Sequence, residues 1–245
     1  MSLWPWSQER RRRERRRRQR KPLSQASRNA LETWRATPTP ELRRPLYDVN
    51  WVVVDTESSG PDARHDRLLS IGACTVSGGR VEVGSGFEAV LRQEQPSAAE
   101  NIMVHRIGGA AQLDGENPEL ALAAFLDYAR RNPLVAFHAR FDATLLAREL
   151  RSRLDLRFRG LWVDAAHVAA ALFPQSRGES WGLDQWLAFF GIENYARHDA
   201  LADAFSTAQL FLVLLERASS QGIGDARALI GLGRAHHELT HWLSH

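Results

Sequence analysis

The run from Val49 to Asp55, V-N-W-V-V-V-D, is the tightest constraint this chain places on its own fold. It is largely apolar and β-branched, with no polar stripe that a solvent-facing helix or strand would show, so it reads as a buried strand at the centre of a sheet. The run then stops on acid, Asp55-Thr56-Glu57, before the turn sequence S-S-G-P-D. Side chains two apart on a strand share a face. Asp55 and Glu57 therefore stand as a pair at the open end of a central strand, half of an oxygen-ligand site for a hard divalent cation. Taken alone, D-x-E is more often the content of an ordinary surface turn.

The flanking pattern supplies partners for that strand. Leu68 to Ser77 and Arg80 to Arg92 read as two more strands, with Gly78-Gly79 as the hairpin turn between them. A helix is expected from Pro118 through Arg131, a strand at Leu134–His138, a helix at Phe141–Leu154 and a short strand at Leu161–Val163. Further helices are expected near Ala165–Phe173, Leu183–Phe190, Asp199–Arg217 and Asp225–Trp242. A three-strand meander followed by alternating helices and strands points to an α/β fold, a mixed sheet with helices packed on it.

Two further acidic motifs sit at element boundaries. In H-A-R-F-D, residues 138–142, an apolar strand passes into a helix with Asp142 in its first turn, a position the helix dipole favours without any function. In H-D-A-L-A-D, residues 198–203, Asp199 is a natural N-cap, and Asp203 projects from the same helical end about one turn on. Each has a structural explanation of its own; three in one chain, each where side chains converge, do not share one.

In that order and spacing the motifs resemble the DnaQ-like exonucleases of the DEDDh class, which include the proofreading epsilon subunit of DNA polymerase III, RNase T and oligoribonuclease. D-T-E-S-S-G is similar to that family's first motif, H-A-R-F-D to its second and H-D-A-L-A-D to its third, while Ile102–Gly108 resembles its V-H-G-I stretch. The likeness runs from about Asn50 to Leu215. It departs at Ala139 and Arg140, where the family often has Asn after the histidine, and at Arg106, where it has Gly; neither change removes a metal ligand. The resemblance implies an RNase H-like fold with a five-stranded mixed sheet flanked by helices. It also implies two divalent cations, Mg2+ or Mn2+, held by Asp55, Glu57, Asp142 and Asp203, with His198 as general base. Val104, His105 and Phe141 would receive the terminal base, with Thr56 and Ser58 near its sugar. The implied activity is 3′→5′ hydrolysis of single-stranded DNA ends to 5′-mononucleotides. An exoribonuclease acting on RNA 3′ ends is the alternative, and an inactive subunit docking a DNA polymerase is a third reading.

Charge divides the chain. Of 32 basic and 29 acidic residues, 14 and 4 fall in residues 1–45, leaving 18 against 25 in residues 46–245, net −7. The arginine block Arg10 to Lys21 reads as a solvated tail, either an arm for polyanions or a solubilising segment. Ser24 to Arg35 has the pattern of a short helix, and Pro38, Pro40 and Pro45 mark a linker. The expected organisation is tail and linker over 1–45, exonuclease domain over 46–220 and a C-terminal helix over 221–245. An acidic body favours short single-stranded ends over long duplex. The single cysteine, Cys74, excludes a disulfide framework and a cysteine-based zinc cluster, and no run approaches the ~18 apolar residues of a membrane helix, which points to the cytoplasm. Q-W-L-A-F-F at Gln185–Phe190 resembles a clamp-binding peptide but has the spacing of a core-facing helix. His236, His237, His241 and His245 lie near the C-terminus with no carboxylate or thiol framework beside them, so no metal site is expected there.

Overall fold

The computed structural model describes residues 22–174 and 181–243; the arginine block and His245 lie outside these. The expected central strand is β1, Trp51–Ser58. It pairs antiparallel with β2, Leu68–Ser77, and parallel with β5, Leu134–Ala136, which in turn pairs parallel with β6, Trp162–Asp164. The second edge of β2 carries both β3, Arg80–Val81, and β4, Phe87–Val90. The sheet thus has six segments in five strand positions. The stretch expected as one strand over Arg80–Arg92 is broken by a 3-10 turn at Val83–Ser85, beside Gly86, where Leu201 of a crossing helix packs. Gly78 and Gly79 make the hairpin turn at φ +57° and +71°, angles that cost a side-chain-bearing residue but not glycine.

Alternation along β1 explains the layering. Trp51 and Val53 face one core, and Val52 and Val54 face the other, all four 1% exposed or less. Burying each valine is worth roughly 1.5–3 kcal/mol, enough to fix the register, since a slip of one residue would reverse every face. The first core is closed by α6 (Ala165–Leu172), α7 (Leu183–Phe190), α8 (Ala200–Ser220) and α9 (Ala226–Leu243). The second is closed by α1 (Gln25–Ala36), α4 (Pro118–Ala129) and α5 (Arg140–Leu154). Two short helices not foreseen in the sequence, α2 (Ala99–His105) and α3 (Gly109–Asp114), connect β4 to α4.

The helix α1 begins after Ser24, whose hydroxyl accepts from the Ser27 amide, and it buries Leu31 and Trp34 in the second core. Trp34 also donates from Nε1 to the Arg130 carbonyl at 2.6 Å, and the Arg131 guanidinium lies 4.4 Å from its ring centre. The short helix expected over Ser24 to Arg35 thus contributes to the packed body. In α7, Trp186 is 2% exposed among Phe173, Trp181 and Phe190, so this segment serves the core. No helix among the described residues is long and apolar enough to cross a membrane.

Gly72 of β2, directly opposite Asp55, decides how α8 reaches the sheet. A Cβ at this position would fall inside the Ala200 carbonyl carbon and the Leu201 amide nitrogen. Backbone atoms cannot move aside as a flexible side chain can. Gly72→Ala is therefore expected to destabilise the chain by at least about 2 kcal/mol, near the upper range for overpacking. Urea denaturation checks this, and an unchanged midpoint would show that α8 does not seat against β2 as described.

Candidate active site

The acids meet around the end of β1 from both faces of the sheet. Asp55 and Glu57 continue the face of Trp51 and Val53, toward α8, where Asp203 occupies the first turn at 3% exposure. Thr56 points to the opposite face and donates its hydroxyl to Asp142 Oδ1 at 2.6 Å. Asp142 is 4% exposed in the first turn of α5. One ligand atom each from Glu57, His198 and Asp203 lies within 4.8 Å of the others. Asp55 is the hub, feeling the charges of Asp142, Asp203 and Glu57.

Two histidines turn the chain into the site helices. His138 and His198 have φ of +59° and +63°, a left-handed conformation uncommon in non-glycine residues, and each directly precedes a segment that delivers an acid. The His198 amide donates to Asp203 Oδ2 at 3.1 Å, which ties the loop to the carboxylate it precedes. Asp199 caps α8 by accepting from the Ala202 amide, as its position suggested. Asp164 caps α6 through the Ala166 amide and also accepts from the His138 amide, a structural role at the neighbouring strand end.

Such crowding is electrostatically costly. Burial raises Asp55 well above the usual carboxylate range, and the neighbouring Asp142, Asp203 and Glu57 charges raise it further. Glu57 is pushed up to about 8, first by burial and then by Asp203. Asp142 rises to about 7 through burial, partly offset by the hydrogen bond from Thr56. The counter-charge supplied by the protein is Arg197, which sequence reasoning missed. Its Nη1 lies 2.5 Å from Asp203 Oδ2, and its Nε lies 2.6 Å from Asp184 Oδ1, though the Nε–H is not aimed there. Asn194 donates to the other Asp203 oxygen. The only signal for either residue was proximity to the third acidic motif. Among the described residues, one guanidinium against four carboxylates leaves a demand for positive charge, and the donor set of carboxylate oxygens with one imidazole suits a hard divalent cation.

The residues expected around a terminal base divide. Val104 is 52% exposed on α2, beside exposed Met103, so it is not a core residue. Phe141 is partly buried against the second core. His105 is 3% exposed, and both ring nitrogens are used: Nδ1 accepts from the Ile107 amide and Nε2 pairs with Ser97 Oγ at 2.9 Å. Burial also pushes its pKa down. Its visible work is to latch the α2–α3 segment. Ser58 spends its hydroxyl on the Gly60 carbonyl at 2.6 Å, and the turn is tied to α2 through Asn101, which donates to the Ser59 carbonyl. Cys74 is fully buried, its thiol pushed up to about 12 by burial, and takes no part.

A profile of the RNase T type, described as exonuclease, matches residues 52–211. The chain belongs to that exonuclease family. Members use divalent metal ions, in keeping with the acid cluster. The chain is 30% identical over 200 residues to a DNA polymerase III subunit epsilon-like protein of Rhodobacter capsulatus, covering 80% of this chain and 28% of that one. It is 28% identical over 179 residues to the PolC-type DNA polymerase III of Thermotoga maritima, covering 72% of this chain and 12% of that one. The chain thus spans less than a third of the length of either relative. Exonuclease X, solved in complex with 5′-overhanging duplex DNA, matches with a TM-score of 0.57 at 20% identity, covering 75% of this chain and 99% of that one. This likeness supports the RNase H-like exonuclease fold.

The raised carboxylates make a linkage prediction. Between roughly pH 4 and pH 8 the folded chain holds protons on Glu57 and Asp142 that the unfolded chain releases, so without metal its stability falls as pH rises through that window. A divalent cation binds the ionised form. Millimolar Mg2+ is therefore expected to raise the thermal midpoint little near about pH 5 and clearly more near about pH 8. Thermal unfolding with Mg2+ or with a chelator checks this; an equal shift at both pH values would contradict the assignment.

Proposed function

We propose that this chain is a metal-dependent 3′→5′ exonuclease that removes 5′-mononucleotides from single-stranded DNA ends. The observation that carries the reading is the convergence of Asp55, Glu57, Asp142 and Asp203 on one strand end, with His198 beside Glu57 and Asp203. These four carboxylates are the residues to hold two ions, Mg2+ or Mn2+. Bound there, the ions supply charge neutralisation at the scissile phosphate and lower the pKa of a coordinated water.

The protein's own contributions follow from the geometry. Asp55 feels the charges of all three other acids, so it would be the ligand common to the site, with Glu57, Asp203 and Asp142 completing the set that would hold the ions. Thr56 fixes the Asp142 carboxylate through its 2.6 Å hydrogen bond, so the ligand is oriented before an ion arrives. His198 is half-buried on the loop before α8, within reach of the ligand atoms of Glu57 and Asp203. The His198 imidazole is placed there to accept the proton of the attacking water. Val104 and Phe141, on α2 and α5, are candidates to flank the terminal base, with Thr56 and Ser58 near its sugar. His105 supports this wall from behind.

DNA is favoured over RNA because the relatives bear the names of DNA polymerase III components and Exonuclease X was solved with DNA. The same names make a DNA polymerase subunit the candidate partner. The intact acid set with His198 weighs against an inactive accessory subunit.

The test is digestion of matched 3′-end- and 5′-end-labelled DNA and RNA oligonucleotides, with Mg2+ or Mn2+ and a chelator control. DNA is expected to shorten from its 3′ end faster than RNA, and only with metal; a preference for RNA would move the substrate to the exoribonuclease reading. His198→Ala is expected to lower turnover by about 10²–10⁴-fold, the range for a general base, while Mg2+-induced stabilisation persists. Asp55→Ala should lose both. Near-normal hydrolysis by either variant would defeat the assignment.

A further inference from the structure

The helix α9 crosses α6 at close range. Gly233 permits the approach, since a Cβ there would lie 3.1 Å from Val168 Cγ2 and 3.8 Å from the Asp164 carbonyl oxygen. One turn further on, the crossing gathers imidazoles from two helices 69 residues apart in sequence. His167 Nδ1 lies 3.2 Å from His236 Nδ1. The His237 ring stands nearly perpendicular to that of His167, with centroids 4.9 Å apart. His241 follows on α9, its ring centroid 6.4 Å from that of His237. The acid cluster makes no use of these four side chains.

A hydrogen bond between the two rings accounts for the His167–His236 contact. The spacing has a second reading. Two nitrogens bound tetrahedrally to one zinc ion at about 2.0–2.1 Å stand roughly 3.3–3.4 Å apart, so the His167–His236 pair already has the span of two ligands. His237 and His241 are four residues apart, the spacing at which a helix offers two imidazoles to one ion. Both are exposed, and the His237 ring already stands against His167, so a change of rotamer is what a third nitrogen at the pair would require. Burial pushes the pKa of His167 down, with the adjacent histidines acting in the same direction and Asp164 opposing, so protons compete weakly for it at neutral pH. Nitrogen-only donors select zinc and its neighbours over magnesium, the reverse of the carboxylate site.

We propose that His167 and His236, completed by His237 or His241, form a second cation site that takes a transition ion such as Zn2+ and clasps the C-terminal helix to α6. The sequence alone could not show it, because the histidine run near the C-terminus lacks a framework until His167 is brought alongside. The site stands apart from the nuclease reading and does not depend on it.

Cobalt(II) is the probe, since tetrahedral coordination by imidazole gives a strong visible absorption band and oxygen-rich octahedral coordination a faint one. The full chain is titrated with Co2+ in excess Mg2+, which fills the carboxylates. A strong band saturating at one equivalent and abolished by Zn2+ is expected. His167→Gln and His236→Ala should lose the band and the rise in thermal midpoint that Zn2+ gives the parent chain, while keeping the parent's midpoint in Mg2+ alone. Should either variant unfold, the doubly substituted His237→Ala/His241→Ala chain, altered at exposed positions, is expected to lose the band. No strong band in the parent, or a band that survives these substitutions, would overturn the proposal and leave a hydrogen bond between imidazoles only.

Discussion

Like charges held together at the end of one buried strand dominate this structure. Asp55 ends an apolar run that cannot move without exposing two cores, so its carboxylate stays where the sheet puts it. Glu57, Asp142 and Asp203 are then brought to it by elements with no choice of position of their own. Isolated carboxylates would disperse into water; here burial and mutual repulsion raise their proton affinity instead. The packing elsewhere offsets that local cost. The cluster keeps a high affinity for positive charge, which is what a metal-dependent phosphodiesterase requires.

Three local features hold the acids in range. Gly72 lets the start of α8 lie against β2 opposite Asp55, so Asp203 approaches β1 closely. The left-handed backbone at His138 and His198 turns two segments sharply at the strand ends. Thr56, on the other face of β1 from its acidic neighbours, reaches Asp142 and joins the two sides of the sheet at the site. Arg197 adds a different kind of element, because it neutralises Asp203 in the absence of metal yet occupies a carboxylate that an ion would need. On the proposed reading, ion binding at Asp203 would be coupled to release of that guanidinium.

What could be read from the sequence follows the range of the interaction involved. β1, the hairpin at Gly78-Gly79, the short helix following Ser24, the cap at Asp199, and the boundary positions of Asp142 and Asp203 all depend on local pattern, and all are found in the structure. The helices α2 and α3 were not foreseen because they are short, seven and six residues, with no stripe long enough to show a period. The packing of α1 depends on Trp34 finding Arg130 and Phe158, which no local pattern records. Arg197 and Gly72 were invisible for the same reason: an arginine beside an acidic motif and a glycine in a strand acquire meaning only from what lies across space. His105 marks another limit, since its motif position suggested contact with substrate and gave no sign that both its nitrogens also bond inside the fold.

The most direct measurement is a crystal structure of the chain grown with Mn2+, with the ions located by anomalous scattering. The account requires manganese enclosed by Asp55, Glu57, Asp142 and Asp203, with the Arg197 guanidinium displaced from Asp203. Strong anomalous peaks elsewhere, with Arg197 still bound to Asp203 and no ion touching Asp55, would contradict it.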